Sequence, residues 1–172
     1  MLVFTIGHGT RPAEELVDCL RAAEVATLVD VRRFPSSRRN PQFNRDALSE
    51  TLADAGIGYR HAEELGGRRT GEAGEERFRC IETRAFRSYA ARMGTEPWQA
   101  ALAAALTQPR PCIMCAETLW WRCHRRLVAE LLVARGHEVV HLIRPHEAQA
   151  HRRMEDADVR DGRLFLCGQL VA

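Results

Sequence analysis

Short strand-forming runs alternate with amphipathic stretches along most of this sequence. The runs, which are mainly apolar or β-branched, predict strands over residues 2–7, 27–32, 58–64, 111–116 and 138–143. Between them, apolar side chains repeat at helical spacing, which predicts helices over residues 12–23, 45–55, 84–93, 95–108 and 123–135. Strands that alternate with helices indicate a mostly parallel sheet covered on both faces. We therefore predict an α/β fold in which residues 1–172 form one domain, a three-layer sandwich.

Three stretches interrupt this alternation. Residues 33–44 are rich in proline, serine and arginine, which predicts a loop. Residues 64–77 combine glycines with charged side chains and predict a mobile loop. The C-terminal tail, residues 144–172, is polar except at residues 164–167, where we predict an edge strand of the sheet.

The composition is that of a globular protein large enough to bury its own core. Of the 172 residues, 45% are hydrophobic and 28% are charged. No apolar run approaches the roughly 20 residues of a membrane span, and the N-terminal run reaches His8 and Arg11 too soon for a signal peptide. The six cysteines do not resemble a secreted disulfide framework. We therefore expect a soluble, cytoplasmic protein with reduced thiols and no membrane partner.

All 25 basic residues are arginines, although the formal net charge is only +2. Guanidinium groups bind phosphates and carboxylates through paired N–H donors, so their clustering matters more than their number. The stretch around residues 33–44 also carries amides that can read base edges and an aromatic ring that can stack on a base. The predicted ligand contacts there are Arg32, Arg33, Arg38, Arg39, Asn40, Gln42 and Phe43. As an alternative, the loop is a solvated surface whose arginines pair with acids of the chain.

Residue types capable of chemistry collect where the predicted strands end. In chain order they are His8, Asp30, Arg32, His61, Glu64, Cys115, Glu117 and His141. The carboxyl ends of parallel strands meet at one edge of a sheet, so we expect these side chains to surround one cleft. We expect His8 and Asp30 to contribute to substrate binding there.

The segment CAETLWWRCHRRL, residues 115–127, offers nucleophiles and acid–base groups. If a helix begins near Cys123, its unpaired N–H groups and the nearby arginines stabilise a thiolate. His124 is exposed to the same positive field and should be neutral, which suits a general base. Glu117 can act as a general acid or base, and Arg125 is a further predicted substrate ligand. The predicted catalytic residues are Cys115, Glu117, Cys123 and His124, with the alternative that both cysteines only fill the core or cap the helix.

No metal site is predicted from the ligand spacing. Structural zinc requires four ligands, usually with two cysteines two to four residues apart, whereas seven residues separate Cys115 from Cys123. A site formed by Cys115, Cys123 and His124 with His8 or His61 remains the alternative. The Gly-His-Gly turn at His8 lacks the full dinucleotide fingerprint, so the sequence indicates no nicotinamide and leaves the cofactor unknown.

Five ordered motifs resemble a known family. They are TIGHGTR, VDVRRFPSSRRNPQFN, YRHAEELGGRR, CAETLWWRCHRRLVAELL and HEVVHL, and they extend over residues 5–142. Together they resemble the bacterial and archaeal proteins of the "domain of unknown function 488" family. The resemblance implies a compact α/β domain with a shared site built from these motifs, and it brings no established reaction.

These observations favour a small cytoplasmic enzyme that acts on a phosphate-bearing substrate, either a nucleotide or a nucleic acid. In this hypothesis the arginine loop holds the phosphate, and the cysteine, glutamate and histidine groups supply the chemistry. A non-catalytic nucleic-acid-binding module and a metal-dependent or thiol-redox protein are the alternatives. The oligomeric state does not follow from the sequence.

Overall fold

The structure is a computed structural model that describes residues 1–67 and 70–172. Residues 68 and 69, two arginines of the predicted mobile loop, lie outside the described residues. On either side of them, the chain forms the short 3-10 helices Glu63–Leu65 and Glu75–Phe78.

Strands and helices follow one another in the predicted order. The strands of the main sheet are β1 (Leu2–Gly7), β2 (Thr27–Asp30), β3 (Gly58–His61), β4 (Pro111–Cys115), β5 (Glu138–Arg144) and β6 (Glu147–Ala150). The helices are α1 (Ala13–Ala22), α2 (Arg45–Asp54), α3 (Arg84–Met93), α4 (Glu96–Leu106) and α5 (Arg125–Ala134). Among these described helices, none is both long and apolar enough to cross a membrane.

The main sheet is parallel apart from one edge strand. Its order is β3-β2-β4-β1-β5-β6, with β6 antiparallel to β5. Helices cover both faces of this sheet, so the predicted α/β fold, a three-layer sandwich with a mostly parallel sheet, is confirmed.

Each face of the sheet carries its own apolar cluster, because successive side chains of a strand point to opposite sides. On one face, Phe4 and Leu28 join apolar side chains of α1 and α2. On the other face, Val3, Val29 and Ile113 join apolar side chains of α3, α4 and α5. Burial on both faces explains why most of the parallel strands are nearly continuous apolar runs in the sequence.

The strand register aligns the carboxyl ends of the three central strands. Gly7 pairs with Cys115, and Asp30 pairs with Met114. The backbone contacts continue beyond the strands, since His8 N–H donates to the Cys115 carbonyl at 3.0 Å. The residues that follow β1, β2 and β4 therefore lie at one edge of the sheet.

The C-terminal tail contains more strand than the sequence predicted. Three strands, β7 (Ala157–Arg160), β8 (Arg163–Leu166) and β9 (Gln169–Leu170), form a second, antiparallel sheet. The strand predicted at residues 164–167 thus exists as β8. It belongs to the second sheet, however, and the edge strand next to β5 in the main sheet is β6. Asp161 and Gly162 have φ angles of 49° and 75°, which suit a tight hairpin turn, and this turn pairs β7 with β8.

The structure corrects the expectation that every cysteine is reduced. Cys80 and Cys167 form a disulfide, with their Cα atoms 5.5 Å apart, inside the normal range for such a bond. The turn between β8 and β9 carries Cys167 to the side of Cys80, a proximity that linear spacing could not reveal. The free cysteines of the described chain are all buried: Cys19, Cys112, Cys115 and Cys123.

Gly7 at the end of β1 is a position where close packing should forbid a side chain. A Cβ atom there would overlap the Glu117 carbonyl oxygen and lie 2.8 Å from Arg125 Nη2. We expect Gly7→Ala to lower the free energy of unfolding by about 1–3 kcal/mol, because the overlapped atom belongs to the backbone. Gly58→Ala in β3 is the matched control, since its Cβ would meet neighbours only at 3.4 Å, and it should change stability by about 0.5 kcal/mol or less. Urea denaturation would measure both, and equal effects would contradict the expectation.

Candidate functional site

A cleft of about 660 Å³ lies beyond the carboxyl ends of β1 and β4. The chain leaves β1 to form β2 on one side and leaves β4 to form β5 on the other, so the connections diverge at this point of the sheet. Ligands of open parallel sheets bind at such a point of divergence. Of the predicted site residues, the structure brings eight to the walls of this cleft: His8, Arg32, Arg33, Asn40, Cys115, Glu117, Cys123 and His124.

Two of these residues place their sulfur atoms against each other. Cys115 ends β4, and Cys123 lies in an extended link between the 3-10 helix Trp120–Arg122 and α5. The turn of 3-10 helix folds the loop back, which closes the eight-residue spacing and leaves the two Sγ atoms 2.8 Å apart. Both thiols are buried in the cleft floor, at 3% and 5% exposure.

The buried guanidinium of Arg125 lies beside this sulfur pair. Its Nε donates to Cys115 Sγ at 3.1 Å, and its backbone N–H reaches Cys123 Sγ at 3.5 Å. The two Nη groups donate to the Thr5 hydroxyl and to the carbonyls of Glu117 and Thr118. Within residues 1–67 and 70–172, no carboxylate forms an ion pair with Arg125. The predicted role of Arg125 as a substrate ligand therefore gives way to an internal role, because its donors are already engaged.

These contacts shift the pKa values of the two cysteines in opposite directions. Burial raises the pKa of Cys115 well above its ordinary value, and donation of its proton to Cys123 has the same effect. Burial alone would also raise the pKa of Cys123, but the hydrogen bond from Cys115, the charge of Arg125 and the Arg125 N–H together lower it to about 6. Cys123 is therefore the thiolate of the pair at neutral pH, and Cys115 is its hydrogen-bond donor.

The position of Cys123 differs in detail from the prediction. Helix α5 begins at Arg125, two residues later than expected, because Cys123 adopts extended backbone angles after the 3-10 helix. The first-turn N–H of Arg125 still points at the sulfur, so the predicted cause of thiolate stabilisation acts through one N–H group.

His124 lies next to the thiolate. Its Nδ1 is 3.4 Å from Cys123 Sγ, and in the described chain its buried Nε2 has no hydrogen-bond partner. Burial lowers the pKa of His124, so the ring is neutral, and the contact with a thiolate assigns its proton to Nδ1. Gly67 packs so closely that a Cβ atom there would lie 2.8 Å from Nδ1, which explains the need for glycine at this position. Nε2 therefore carries a free lone pair.

Asp30 and Arg32 form a buried ion pair under one wall of the cleft. The Asp30 carboxylate accepts from Arg32 Nε at 2.8 Å and from Nη2 at 2.6 Å, and it also accepts from the Tyr59 hydroxyl at 2.8 Å. Arg32 further donates to the Phe43 carbonyl and to His8 Nε2. Asp30 is fully buried, so the structure places it as the partner of Arg32 and not as a substrate contact.

His8 is fixed as a neutral ring. Its Nδ1 donates to the Gly9 carbonyl at 2.9 Å, its Nε2 accepts from Arg32 at 3.3 Å, and burial lowers its pKa to about 4. The ring stacks on Phe43 with centroids 4.4 Å apart. Phe43 is fully buried, which corrects its prediction as a surface for base stacking, and Gln42 donates to the Arg11 carbonyl, which engages the amide predicted to read bases.

The arginine loop meets the cleft through part of the predicted set, Arg32, Arg33 and Asn40, and also through Phe34, which was not predicted. Arg33, Phe34 and Arg122 line the cleft, and Phe34 is 61% exposed. Arg38 and Arg39 are exposed and lie outside the cleft lining of the described chain, although Ser37 and Asn40 on either side of them line it. An aromatic residue between an arginine and a proline was the sequence signal available for Phe34. For Arg122, the available sequence signal was its position directly before Cys123.

A chain of buried hydrogen bonds leads from Arg125 at the cleft floor across β1 and β5 to Glu130, which lies on the same helix, α5. Arg125 Nη1 donates to the Thr5 hydroxyl at 3.2 Å, and that hydroxyl lies 2.7 Å from His141 Nδ1. His141 Nε2 is 3.0 Å from His151 Nδ1, and His151 Nε2 is 3.1 Å from the Glu130 carboxylate. Burial lowers the pKa of His141 to about 3, so this ring is neutral. The carboxylate of this chain, Glu130, is thus linked to Arg125 only through Thr5 and two histidine rings.

The contacts around the sulfurs leave little place for a metal ion. Cys115, Cys123 and His124 do lie together, as the metal alternative requires, but Arg125 already supplies the positive charge there. His61 donates to the Arg32 carbonyl at 2.8 Å, away from the sulfurs. In the part of the chain that the structure describes, no group of three or more histidine, cysteine, aspartate or glutamate side chains is arranged to hold a metal.

Comparison with known proteins identifies a family. The family model described as "Domain of unknown function DUF488" matches residues 12–132. No curated protein and no solved structure matches the chain.

The lowered pKa of Cys123 should be visible as a pH dependence of its reactivity. We expect its alkylation by iodoacetamide to rise through a midpoint near pH 6, because only the thiolate reacts and it persists above that pH. An unperturbed cysteine would titrate at about 8.5. Cys115→Ala should raise the midpoint, because it removes the hydrogen-bond donor to the thiolate. Alkylation followed by peptide mass mapping measures this, and a midpoint near 8.5 in the native protein would refute the assignment.

The Asp30–Arg32 pair should dominate the stability of this edge of the sheet. Asp30→Ala leaves a buried guanidinium without its carboxylate, so we expect a loss of about 3–5 kcal/mol in the free energy of unfolding. Tyr59→Phe removes one hydrogen bond to the same carboxylate and should cost about 1 kcal/mol. Asp46→Ala, at an exposed site on α2, is the control. If the Asp30 and Asp46 variants are equally stable, the pair is not a structural element.

Proposed function

This chain belongs to the DUF488 family, and we propose that it is a small thiol-dependent enzyme that acts on a phosphate-bearing substrate. Cys123 is the nucleophile in this proposal. The observation that supports it best is the setting of the Cys123 sulfur, which lies in a cleft and touches a thiol donor, a helix N–H and the field of a buried guanidinium. Structural cysteines in apolar cores have raised pKa values, as Cys112 has here, whereas nucleophilic cysteines have lowered ones.

The positive side chains of the cleft favour an anionic substrate. Arg33 and Arg122 contribute guanidinium groups to its walls, and Arg32 is neutralised by Asp30. Guanidinium forks bind phosphate oxygens through paired N–H donors. Phe34 exposes most of its ring beside Arg33, whose guanidinium carbon lies 5.0 Å from the ring centroid. An aromatic face next to a phosphate site suits a nucleotide or a nucleic acid, because every base can stack on it.

The proposed reaction is a phosphoryl transfer in two steps. The Cys123 thiolate attacks phosphorus, an S–P bond forms, and the P–O bond to the leaving group breaks. The leaving oxygen takes a proton from Glu117, a residue that lines the cleft. Water then attacks phosphorus, the S–P bond breaks to restore the thiolate, and the proton of the water passes to the Glu117 carboxylate that the first step left, which closes the cycle. His124 supports the thiolate through its Nδ1 contact with the Cys123 sulfur.

The location that suits this chemistry is the cytoplasm. A reducing compartment keeps thiols free, which a cysteine nucleophile requires. The Cys80–Cys167 disulfide does not include either sulfur of the cleft.

Turnover and a trapped intermediate test the enzyme proposal. With p-nitrophenyl phosphate and a panel of nucleotides as probes, we expect hydrolysis that falls by about a thousandfold or more in Cys123→Ser. Rapid acid quenching should show one phosphoryl group on the Cys123 peptide by mass spectrometry. Cys19→Ser is the control, because Cys19 is buried outside the cleft. Equal activity in the parent and in Cys123→Ser would exclude Cys123 as the nucleophile.

Paired arginine variants test where phosphate binds. We expect Arg33→Ala with Arg122→Ala to weaken binding of inorganic phosphate by roughly tenfold or more, because each removes a charge-assisted donor. Arg38→Ala with Arg39→Ala is the matched control with the same loss of charge outside the cleft, and it should bind nearly as the parent does. Titration calorimetry measures both. If the Arg38 and Arg39 pair instead weakens binding of a single-stranded oligonucleotide while Cys123→Ser has no effect on any assay, the chain is a binding module.

A further inference from the structure

The two sulfurs in the cleft support a second reactivity, independent of phosphate. We infer that Cys115 and Cys123 form a peroxide-reactive dithiol that closes reversibly to an intramolecular disulfide. The inference goes beyond the proposed function, since it concerns hydroperoxides as oxidants and needs no phosphate substrate. It also assigns to Cys115, which the phosphoryl transfer does not use as a nucleophile, a reaction of its own.

The geometry already approaches that of the product. The two Sγ atoms are 2.8 Å apart, and a disulfide requires about 2.05 Å, so the sulfurs need to close by only about 0.8 Å. Both residues line the same cleft, which gives a small hydroperoxide a path to them. The remaining free cysteines, Cys19 and Cys112, do not line that cleft.

The contacts of the sulfurs give them different roles. The Cys123 thiolate attacks an oxygen of the hydroperoxide, so that an S–O bond forms, the O–O bond breaks and the leaving alkoxide takes a proton to become an alcohol or water. Cys123 is thereby oxidised to a sulfenic acid by two electrons. Cys115 then loses its proton and attacks that sulfur, the S–O bond breaks, and hydroxide leaves and combines with the proton as water.

Arg125 promotes the second step and makes the product easy to reduce. Its Nε lies 3.1 Å from Cys115 Sγ, where it stabilises the thiolate that must form before Cys115 attacks. After closure neither sulfur carries a negative charge, so the buried guanidinium retains only neutral acceptors. That unfavourable state raises the free energy of the disulfide relative to the dithiol. A small dithiol such as dithiothreitol should therefore reopen the bond.

Peroxide treatment of the whole protein without any substrate tests the inference. We expect one equivalent of hydrogen peroxide to reduce the free thiols, counted after denaturation, from the four of the parent to two, and dithiothreitol to restore them. Trypsin cleaves after Arg122, between the two cysteines, so the new bond should appear as a pair of joined peptides, in which fragmentation distinguishes Cys115 from Cys112 of the same peptide. Detection of that joined pair in the parent protein does not depend on the folding of any variant.

Variants separate the two sulfurs. In Cys115→Ser, we expect a sulfenic acid that dimedone traps on Cys123 and no joined peptides, because the second thiol is absent. Cys19→Ser should form the bond as the parent does. The inference is overturned if peroxide oxidises Cys123 in the parent to a sulfinic acid while Cys115 stays free, or if thiols are lost without the joined peptides. Either result leaves the phosphoryl-transfer proposal standing, since that proposal depends on turnover and not on oxidation.

Discussion

The buried guanidinium of Arg125 is the interaction on which the candidate site depends. It is 1% exposed, and in the described residues its donors meet sulfur, hydroxyl and carbonyl acceptors and no carboxylate. Burying a charge without a counter-charge is strongly unfavourable, so the surroundings must supply a negative group. The Cys123 thiolate supplies this negative charge. The ionisation of the nucleophile and the burial of the arginine therefore stabilise each other, and neither can be changed alone.

Two buried arginines at the same sheet edge show how the counter-charge decides a residue's role. Arg32 is held by both oxygens of Asp30, and the neutral pair supports the cleft wall and fixes the ring of His8. Arg125 has no such partner among the described residues, and its field reaches the sulfurs. Both positions require several donors in a fixed plane, which guanidinium supplies and ammonium does not. In these two places, arginine is a structural requirement and not only a bias of composition.

The fold could be predicted because its signals are local, and much of the site could not because its contacts are distant in sequence. Short strand-forming runs and helical spacing predicted the parallel strands and the α-helices. The alignment of strand ends in a parallel sheet predicted that Cys115 lies near His8. The Asp161-Gly162 dipeptide is typical of a hairpin turn, but the surrounding polar residues did not predict the strands that it joins. Phe43 is buried with its ring stacked on His8, and one acceptor of Arg125 is Thr5, 120 residues away. Spacing along the chain carries no information about such contacts.

The strand order has a consequence for how the chain folds during synthesis. β1 and β2 are not neighbours, because β4 lies between them, and β1 has its other neighbour in β5. Residues 31–110 separate β2 from β4, and at about 5–20 residues per second the ribosome needs roughly 4–16 s to make them. Throughout that interval β1 has no partner strand in the main sheet. Until the strand that carries Cys115 is made and joins the two halves of the sheet, the apolar side chains of β1 can be covered only by the helices already synthesised or by a chaperone.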